Sequence, residues 1–458
     1  MNAPPARNDF PALRARAGRP PPVYLDSACM SLVPTAVLEA MEEYYRDFPG
    51  CAGRSLHRFS EEVSRRYEEA RAAFARFLGR RDPRNIVFVR NATEALNLVA
   101  QGLAYERGDT VLVTDREHNS NLVVWHRLAA ERGVRLASLA LGDDGGFDGD
   151  ALEEALERGV RLVSFFHTSN LDGRTLPIRE ITERAHDHGA LVLFDGCQAA
   201  PRGAVDLDAV GVDYYAVSGH KMLGPTGTGV LAAAPGRLSE LRPLLIGGET
   251  VEWSTLTGHE LRPPPYRFEA GLQNYAGLLG ARAAIEYLER FGRDEIAARE
   301  IDLNRRVTRA LAGEPRVHVL GPPDPASRPS IFAFTLDGID PNDAAVFLDE
   351  GFRVMVRSGQ HCVHSFYERH GLVGNVRASF YLYNDRTDAD TLVRGIRELL
   401  DRIPPAGVTG TSAGTTAEAT RAGRGPRHGA GSTGVAARSV PPRRTAARGR
   451  AGSATGSG

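Results

Sequence analysis

Lysine is nearly absent from this sequence. Lysine and arginine together number 56, but Lys221 is the only lysine, so the other basic side chains of this count are arginines. The guanidinium of arginine stays protonated, whereas an amine has an accessible deprotonated form that can attack a carbonyl group. Two interpretations stay open at this point. Either position 221 requires a nucleophilic amine, or one lysine has survived compositional drift by chance.

Cysteines are also few, and long apolar runs are missing. Cys29, Cys51, Cys197 and Cys362 form no Cys-x-x-Cys pair, and they are too sparse for the disulfide framework of a small secreted domain. No apolar run is long enough to cross a bilayer, and residues 1–22 lack the apolar core of a signal peptide. We therefore expect reduced thiols, a cytoplasmic location and no membrane association.

The overall charge is close to zero. A formal net charge of -1 and a pI near 6.9 give no attraction of the whole chain to nucleic acid or anionic lipid. Residues 404–458 differ, because they hold eight arginines against one acidic residue, Glu418, and almost no large apolar side chains. This composition predicts a disordered tail rich in Gly, Ala and Arg. An RNA-binding arm is the alternative, although the tail lacks the aromatic residues on which bases stack.

The rest of the sequence alternates between apolar, β-branched runs and helix-length segments. Helices are expected at 35–48, 60–78 and 274–291, and strands at 86–89, 110–113, 135–141, 162–167, 191–194, 214–217 and 229–233. This alternation predicts an α/β fold with a mostly parallel seven-stranded sheet that helices cover on both faces. A strand pair around 317 and 331–336, among further helices, predicts a smaller α/β domain. We divide the chain into an irregular N-terminal arm (1–22), a large domain (23–290), a small C-terminal domain (291–403) and the tail (404–458).

Several reactive side chains directly follow the predicted strands, where ligands bind in such folds. Lys221 lies in SGHKMLGPTGTG, after one strand and before a glycine-rich turn, and Asp195 ends the run LVLFDG, three residues before Gln198. Ordinary explanations also exist. Such glycines often only reverse the chain, and an aspartate in this position often caps the next helix.

Other strand ends carry hydrogen-bond donors. Ala92 and Thr93 begin a helix in RNATEALNLVAQGL, and a helix N-terminus with a hydroxyl is suited to bind a phosphate. N-capping by Thr93 would explain the same residues. Ser218 and His220 can supply two more donors to an anion. His118 can stack on a planar ring, or it is a structural histidine.

The segment VRSGQHCVHSFY contains the most reactive cysteine environment. Cys362 has Arg357, His361 and His364 nearby in sequence, and these can provide the electropositive setting that favours a thiolate. The other three cysteines have apolar or glycine-flanked neighbours and are interpreted as small hydrophobic residues. Arg377 lies in a strand-like run, which indicates a bidentate clamp for a carboxylate, with a surface ion pair as the alternative.

These side chains together meet the demands of pyridoxal 5′-phosphate (PLP). This cofactor needs an amine for its aldehyde, a carboxylate for its pyridine nitrogen, donors for its phenolate oxygen and phosphate, and a surface against its ring. Lys221, Asp195 and Gln198 are candidates for the first three groups. The helix at Ala92 is a candidate for the phosphate.

The same segments resemble the class V aminotransferase fold, and within it the group II cysteine desulfurase and selenocysteine lyase family. Ten segments match in family order over residues 22–403: VYLDSACMS, GRSLHRFS, NATEALNLVA, EHNSN, HTSNLDG, FDGCQA, SGHKMLGPTGTG, RFEAG, RSGQHC and VRASFYLYN. An ordered series of this kind is more specific than any single motif. The resemblance implies a homodimeric PLP-dependent transferase of fold type I, with PLP bound in the large domain.

The resemblance also implies a role for each candidate. Lys221 binds the cofactor and transfers protons, His118 stacks on the ring and assists in acid/base chemistry, and Cys362 accepts the sulfur of L-cysteine. The product would be L-alanine, and the persulfide would pass to a relay protein or an iron–sulfur scaffold. The implied cofactor contacts are Ala92, Thr93, His118, Asn170, Asp195, Gln198, Ser218, His220 and Lys221, the implied substrate contacts are His57, Asn170 and Arg377, and no metal is implied.

Three departures from the family pattern are visible. Leu272 and Gln273 stand where the family usually has Thr-Pro, whose hydroxyl reaches the phosphate bound by the neighbouring subunit. Ser27 replaces the usual Asn of the N-terminal motif, and Gln360 replaces the first His of the usual His-His-Cys. The threonine contact is therefore not expected here, while the homodimer and the nucleophile are.

Two other functions stay open, because a fold does not determine a reaction. One is another PLP enzyme of the same class, such as a selenocysteine lyase, an epimerase or a transaminase, in which Cys362 is incidental. Such an enzyme would not need the Arg-x-Gly-x-His-Cys loop. The other is a non-catalytic scaffold, which would have no need to combine Lys221, Asp195, Gln198 and Cys362.

Overall fold

A computed structural model describes residues 6–15 and 20–403 of this protein. Its α-helices are α1 (Thr35–Asp47), α2 (Arg58–Phe77), α3 (Ala92–Gly102), α4 (Asn119–Arg132), α5 (Gly149–Glu157), α6 (Ile178–Asp187), α7 (Leu207–Val210), α8 (Tyr275–Phe291), α9 (Arg293–Leu311), α10 (Pro341–Phe352), α11 (His364–His370) and α12 (Arg386–Arg402). Its strands are β1 (Val23–Tyr24), β2 (Ile86–Val89), β3 (Thr110–Thr114), β4 (Arg135–Leu139), β5 (Leu162–Phe166), β6 (Leu191–Asp195), β7 (Tyr214–Ser218), β8 (Gly229–Ala233), β9 (Val251–Ser254), β10 (His259–Leu261), β11 (Val317–Leu320), β12 (Ile331–Leu336), β13 (Val354–Met355), β14 (Arg357–Gly359) and β15 (Asn375–Ser379).

The large sheet has seven strands in the order β2-β8-β7-β6-β5-β3-β4. Strand β8 is antiparallel to both of its neighbours, and the pairs from β7 to β4 are parallel. The predicted mostly parallel seven-stranded sheet is therefore confirmed. The seven predicted strand segments correspond to β2 through β8, with ends that differ by at most two residues.

Helices cover both faces of this sheet. Successive side chains of a strand point to opposite faces, so each strand contributes to two apolar clusters. Tyr215 and Val217 of β7 pack into one apolar cluster with α1, α2 and α8. Tyr214 and Ala216 of the same strand pack into a second cluster with α3 and α4. The strands thus read as continuous apolar runs because they are buried on both sides.

A smaller sheet follows in the C-terminal part of the chain. It is antiparallel, with the order β11-β12-β15-β14, and the predicted strand pair around 317 and 331–336 corresponds to β11 and β12. Apolar side chains from α9, α10 and α12 pack with this sheet into a separate cluster. The described part of the chain contains no helix that combines the length and the apolar character needed to cross a membrane.

The N-terminal segment joins this C-terminal part. Strand β1 pairs in parallel with β13, and Val23 and Leu25 belong to the apolar cluster of the smaller sheet. Upstream, Phe10 is fully buried against the ring of Tyr383, with 4.8 Å between the ring centroids. The domain divisions at 22/23 and 290/291 stay predictions, and the predicted tail at 404–458 lies outside the described residues.

Candidate functional site

A cavity of about 240 Å³ lies at the carboxyl ends of β2, β3, β5, β6 and β7. This position agrees with the rule that ligands bind beyond the carboxyl ends of parallel strands. The cavity brings together ten of the residues predicted from the sequence: Ala92, Thr93, His118, Asn170, Asp195, Ser218, His220, Lys221, Cys362 and Arg377. Their roles stay predictions, but the structure places them around one cavity although they are spread over more than 280 positions of the sequence.

Lys221 ends a 3-10 turn, Gly219–Lys221, that directly follows β7. Among the residues that the structure describes, its side chain has no hydrogen-bond partner, so its amine is available to a ligand in the cavity. The turn requires glycine at 219, because a Cβ there would collide with the hydroxyl of Thr228. The glycine next to the lysine therefore allows the close packing that orients this turn.

Asp195 ends β6 and lines the same cavity. Its Oδ1 accepts a hydrogen bond from the backbone N–H of Cys197 at 3.0 Å. The next helix along the chain is α7, and its N-cap is Asp206. Asp195 thus caps no helix, and the alternative explanation of this residue is wrong.

His118 is the N-cap of α4 and also lines the cavity. Burial, together with the charge of Lys221, lowers the pKa of His118 to about 4, so the ring is neutral at physiological pH. Its Nδ1 accepts a hydrogen bond from the backbone N–H of Ser120 at 3.1 Å. A neutral ring that accepts at Nδ1 carries its proton on Nε2, and Nε2 is thus the donor that the ring can offer to a ligand.

Several donors surround the N-terminus of α3. The N–H of Ala92 donates to Ser218 Oγ at 2.9 Å, and the hydroxyls of Thr93 and Ser120 lie 2.8 Å apart. The N-cap of α3 is Asn91, whose side chain accepts from the N–H of Glu94. The alternative that Thr93 is there as an N-cap is therefore wrong. A helix N-terminus with nearby hydroxyl groups is suited to bind a phosphate.

The loop of Cys362 has an unusual backbone. His361 and Cys362 both have left-handed φ angles, 48° and 61°, which cost roughly 1–3 kcal/mol each for residues other than glycine. Two hydrogen bonds hold this loop against the large sheet. The N–H of Asn119 donates to the carbonyl of Cys362 at 2.7 Å, and the side chain of Asn170 donates to the carbonyl of His361 at 2.8 Å.

Arg357 provides the positive charge near Cys362. Its Nη2 lies 3.7 Å from Cys362 Sγ. His361, which the sequence suggested as a second source of positive charge, is neutral instead, because burial and the charge of Arg377 lower its pKa to about 3. A guanidinium stays charged at any physiological pH, so Arg357 is the side chain that can stabilise a thiolate here.

Arg377 lies beside Arg357 across the β14–β15 pair. Its side chain is 1 % exposed, so the alternative of a surface ion pair is wrong. Nη1 donates to the carbonyl of Asn170 at 2.8 Å and Nη2 to Asp26 at 3.2 Å. Its Nε has no hydrogen-bond partner among the described residues.

Two predicted site residues lie outside the cavity. Gln198 is buried behind its wall, where its amide donates to the carbonyl of Ala28 at 2.7 Å and its Oε1 accepts from Arg202 at 3.0 Å. His57 is exposed and is the N-cap of α2. The structure does not bring these two side chains to the other candidates within this chain.

Three of the residues that depart from the family pattern differ in exposure and in hydrogen bonding. Leu272 is 62 % exposed, and Gln273 donates to the carbonyls of Ala270 and Gly271. The hydroxyl of Ser27 is 2.7 Å from that of Tyr383 in the protein interior.

Cys29, which was expected to be only a small hydrophobic residue, lines the cavity beside Arg357 and Cys362. Its Sγ accepts a hydrogen bond from Arg357 Nη1 at 2.6 Å. The cysteine next to Asp195 is different, because burial and the nearby carboxylate raise the pKa of Cys197 to about 12. No local signal in the sequence distinguished Cys29, because its neighbours in space are far away along the chain.

His361→Asn is expected to make the stability of the protein less sensitive to acid. His361 has a folded-state pKa of about 3 against about 6.5 when unfolded, so the unfolded chain binds more protons between these values. Stability is therefore full above pH 6.5 and is lost as pH falls. Urea unfolding should show that the wild type loses about 2 kcal/mol more than His361→Asn between pH 7 and pH 5.

Asparagine suits this comparison because it tolerates left-handed backbone. The matched control is His259→Asn, at an exposed position on β10, and it should keep the wild-type pH dependence. Equal losses for the wild type and His361→Asn would mean that His361 can take up a proton in the folded state.

Comparisons with known proteins agree on one family. The family model for aminotransferase class V matches residues 23–392. A protein named as a probable cysteine desulfurase from Halobacterium salinarum is 39% identical over 403 residues, which are 87% of this chain and 97% of that protein. A cysteine desulfurase from Dickeya dadantii is 37% identical over 86% of this chain and 95% of its own length. The solved apo structure of a cysteine desulfurase from Thermococcus onnurineus matches with a TM-score of 0.83 and 36% identity, over 88% of this chain and 99% of that one.

Proposed function

Because this chain belongs to the class V aminotransferase family, and to its cysteine desulfurase branch, we propose that it is a PLP-dependent enzyme that converts L-cysteine to L-alanine. In this proposal the sulfur is carried as a persulfide on Cys362. The observation that supports it is that Lys221, Asp195 and Cys362 line one cavity. A general aminotransferase would need the lysine and the aspartate, but it would have no use for a thiol beside a guanidinium.

The residues around the cavity fit PLP. When bound, PLP supplies an aldehyde that binds amines and a pyridine ring that withdraws electrons from the substrate. Lys221 would hold the aldehyde and Asp195 the ring nitrogen, while His118 would lie against the ring. The N-terminus of α3, with Thr93, Ser218 and His220, would hold the phosphate. Gln198 stays the predicted contact of the phenolate oxygen, although its amide lies outside the cavity in this structure.

The chain's own residues divide the reaction between them. Arg377 and Asn170, with His57 as a further predicted contact, orient the substrate through its carboxylate. Lys221, once its amine is free, removes the proton from the α-carbon and later returns it. The thiolate of Cys362 attacks the substrate sulfur, so a sulfur–sulfur bond forms as the carbon–sulfur bond breaks. Arg357, whose Nη2 lies 3.7 Å from Cys362 Sγ, would stabilise negative charge on this sulfur.

The test is a product assay on the purified, PLP-loaded protein. With L-cysteine and a dithiol reductant, alanine and sulfide are expected in equal amounts. Pyruvate and ammonia instead of alanine would indicate a lyase, and a need for a keto acid would indicate a transaminase. In a parallel assay, alanine from L-selenocysteine but not from L-cysteine would indicate a selenocysteine lyase. Cys51→Ser is the matched control for a Cys362→Ser variant, because Cys51 is also a free thiol but does not line the cavity. The Cys51→Ser variant should keep full activity.

The cellular location, the sulfur acceptor and the roles of the two domains are part of the same proposal. The four cysteines are free thiols, which agrees with a reducing cytoplasm. The persulfide sulfur would be passed to a relay protein or to a scaffold for iron–sulfur clusters. The large domain, 23–290, would bind PLP, and the small domain, 291–403, would carry the cysteine loop.

The enzyme is also proposed to be a homodimer. Leu245 and Leu272 are 58 % and 62 % exposed and line one surface pocket with Leu244, and exposed apolar clusters of this kind mark protein interfaces. The wild type is therefore expected at twice the monomer mass in analytical ultracentrifugation. Leu245→Glu should weaken the dimer by at least about tenfold, since it places an unpaired charge at an apolar contact.

The matched control for the dimer is Val346→Glu, at a position on α10 that is 55 % exposed and outside this pocket. A wild-type protein that sediments as a monomer at all concentrations would contradict the dimer.

A further inference from the structure

Two cysteines of the cavity share one guanidinium. Arg357 donates from Nη1 to Cys29 Sγ at 2.6 Å and reaches Cys362 Sγ with Nη2 at 3.7 Å. Both sulfurs therefore contact the two terminal nitrogen atoms of one guanidinium, and both cysteines line the cavity. The guanidinium can therefore stabilise negative charge that develops on either sulfur during a thiol exchange.

The position of Cys29 is fixed from several sides. Its own N–H donates to the carbonyl of Asp26, which closes a turn after β1. The N–H of Ala28 donates to Ser379 Oγ at 2.9 Å, and the N–H of Ser31 donates to the carbonyl of His220 at 2.9 Å. The turn is thus tied both to β15 and to the segment that carries Lys221, and it cannot leave the cavity wall without breaking these bonds.

The other cysteines do not share this setting. Cys197 lines the cavity, but it is buried, its pKa is raised to about 12, and its thiol faces Ser218 Oγ at 3.5 Å. Cys51 is not among the residues that line the cavity. Cys29 is therefore the one cysteine besides Cys362 that lines the cavity and also contacts Arg357.

We propose that Cys29 is a second sulfur carrier, which takes the outer sulfur from a persulfide on Cys362. This proposal rests on the desulfurase function proposed above. The thiolate of Cys29 attacks the outer sulfur, so a sulfur–sulfur bond forms on Cys29. The bond between that sulfur and Cys362 Sγ breaks, and its electron pair stays on Cys362, which leaves as a thiolate. The exchange consumes no oxidant and no reductant.

Arg357 has two functions in this exchange. It stabilises the attacking thiolate of Cys29 and the departing thiolate of Cys362 through neighbouring nitrogen atoms of the same group. Thiol exchange depends on the thiolate fraction of the attacking sulfur and on the stability of the leaving one. The transfer frees Cys362 for a second substrate while the first sulfur stays bound to the enzyme.

The experiment locates the bound sulfur by mass spectrometry. PLP-loaded enzyme is treated with excess L-cysteine without reductant, alkylated and cleaved after arginine, which puts Cys362 on the peptide 358–369 and Cys29 on a separate peptide. The wild type should carry one extra sulfur on each peptide, with Cys362 labelled first. Cys29→Ser should carry it on Cys362 only, and Cys362→Ser on neither. Arg357→Gln loses the cut after 357, so its Cys362 lies on the peptide 354–369. This variant should lower the ratio of Cys29 to Cys362 label about tenfold, the size expected for one lost hydrogen bond to a charged group.

Cys51 is the internal control for sulfur that moves through solution, and it should stay unlabelled. Label on Cys51 equal to that on Cys29, or label on Cys29 in the Cys362→Ser variant, would overturn the relay. So would alanine formation with a persulfide on Cys362 and none on Cys29. If L-cysteine yields no alanine at all, the desulfurase function fails and the relay fails with it. Alanine formation without sulfur on Cys29 contradicts the relay alone, so alanine distinguishes the two failures.

Discussion

Lys221→Ala is expected to lower the turnover of L-cysteine by about 10³-fold, because the variant loses the only amine that can move the substrate proton. Alanine cannot hold the cofactor covalently, so PLP should also dissociate on gel filtration. Lys221→Arg is the matched variant. It keeps a positive charge at the end of the Gly219–Lys221 turn, but a guanidinium is no nucleophile, so it should be as inactive as the alanine variant.

The rarity of lysine provides a second readout that does not depend on turnover. A protease that cleaves after lysine can cut the denatured chain at only one place, between 221 and 222. Borohydride reduction of the PLP-loaded wild type should block this cut by alkylating the amine, whereas apo protein should be cut into two fragments. Cleavage of the reduced holoenzyme as fast as the apo protein would show that Lys221 does not hold PLP.

Much of this site could be predicted from the sequence because the large sheet is mostly parallel. In such a sheet, each strand delivers the residues that follow it to the same edge. His118, Asn170, Asp195 and Ser218 each follow an apolar run that is readable from the sequence, and all four line the cavity. Predicting that these residues lie together required only the ends of the strands and the assumption that the strands run in the same direction. The order of the strands in the sheet was not needed.

The part that could not be predicted depends on contacts between distant segments. Cys29 reaches the cavity because β1 pairs with β13, which joins Val23 to Val354. A pair of two-residue strands has no periodicity that a sequence reveals, and the neighbours of Cys29 are apolar or small. The partner Arg357 was predicted beside Cys362, but nothing in its own segment indicated a second sulfur.

Burial explains the other differences. His361 was predicted to contribute positive charge to the setting of Cys362, because the two residues are adjacent in sequence. In the structure, it is 3 % exposed and donates to the side chain of Asn375, and an imidazole without water is held neutral. The sequence places this residue near the thiol but does not show how much solvent reaches it.

Lys221 thus indicates which cofactor the protein binds, and Cys362 indicates which reaction it catalyses. Lys221 and Asp195 at neighbouring strand ends indicate the cofactor, and many reactions use the same pair. The reaction is indicated by the loop around Cys362, where two residues in left-handed conformation are held by Asn119 and Asn170. Since such a backbone is costly, the loop is maintained by the contacts that aim the thiol into the cavity.

Cys362→Ser is therefore expected to lose desulfurase turnover by about 10³-fold or more, within the range seen when an enzyme nucleophile is removed. A serine hydroxyl stays protonated beside Arg357 and cannot form a persulfide. The variant should still bind PLP, and borohydride should still protect Lys221 from cleavage, because the thiol belongs to the loop rather than to the strand ends that surround the amine.

The comparison of the two variants separates the cofactor from the reaction. Lys221→Ala should lose both PLP retention and alanine formation, whereas Cys362→Ser should lose only alanine formation. Undiminished alanine and sulfide from Cys362→Ser would remove this thiol from the mechanism, because sulfur would then leave the substrate without a persulfide on Cys362. Loss of PLP from Cys362→Ser would instead mean that the loop, which is tied to Asn119 beside His118, helps to close the cofactor site.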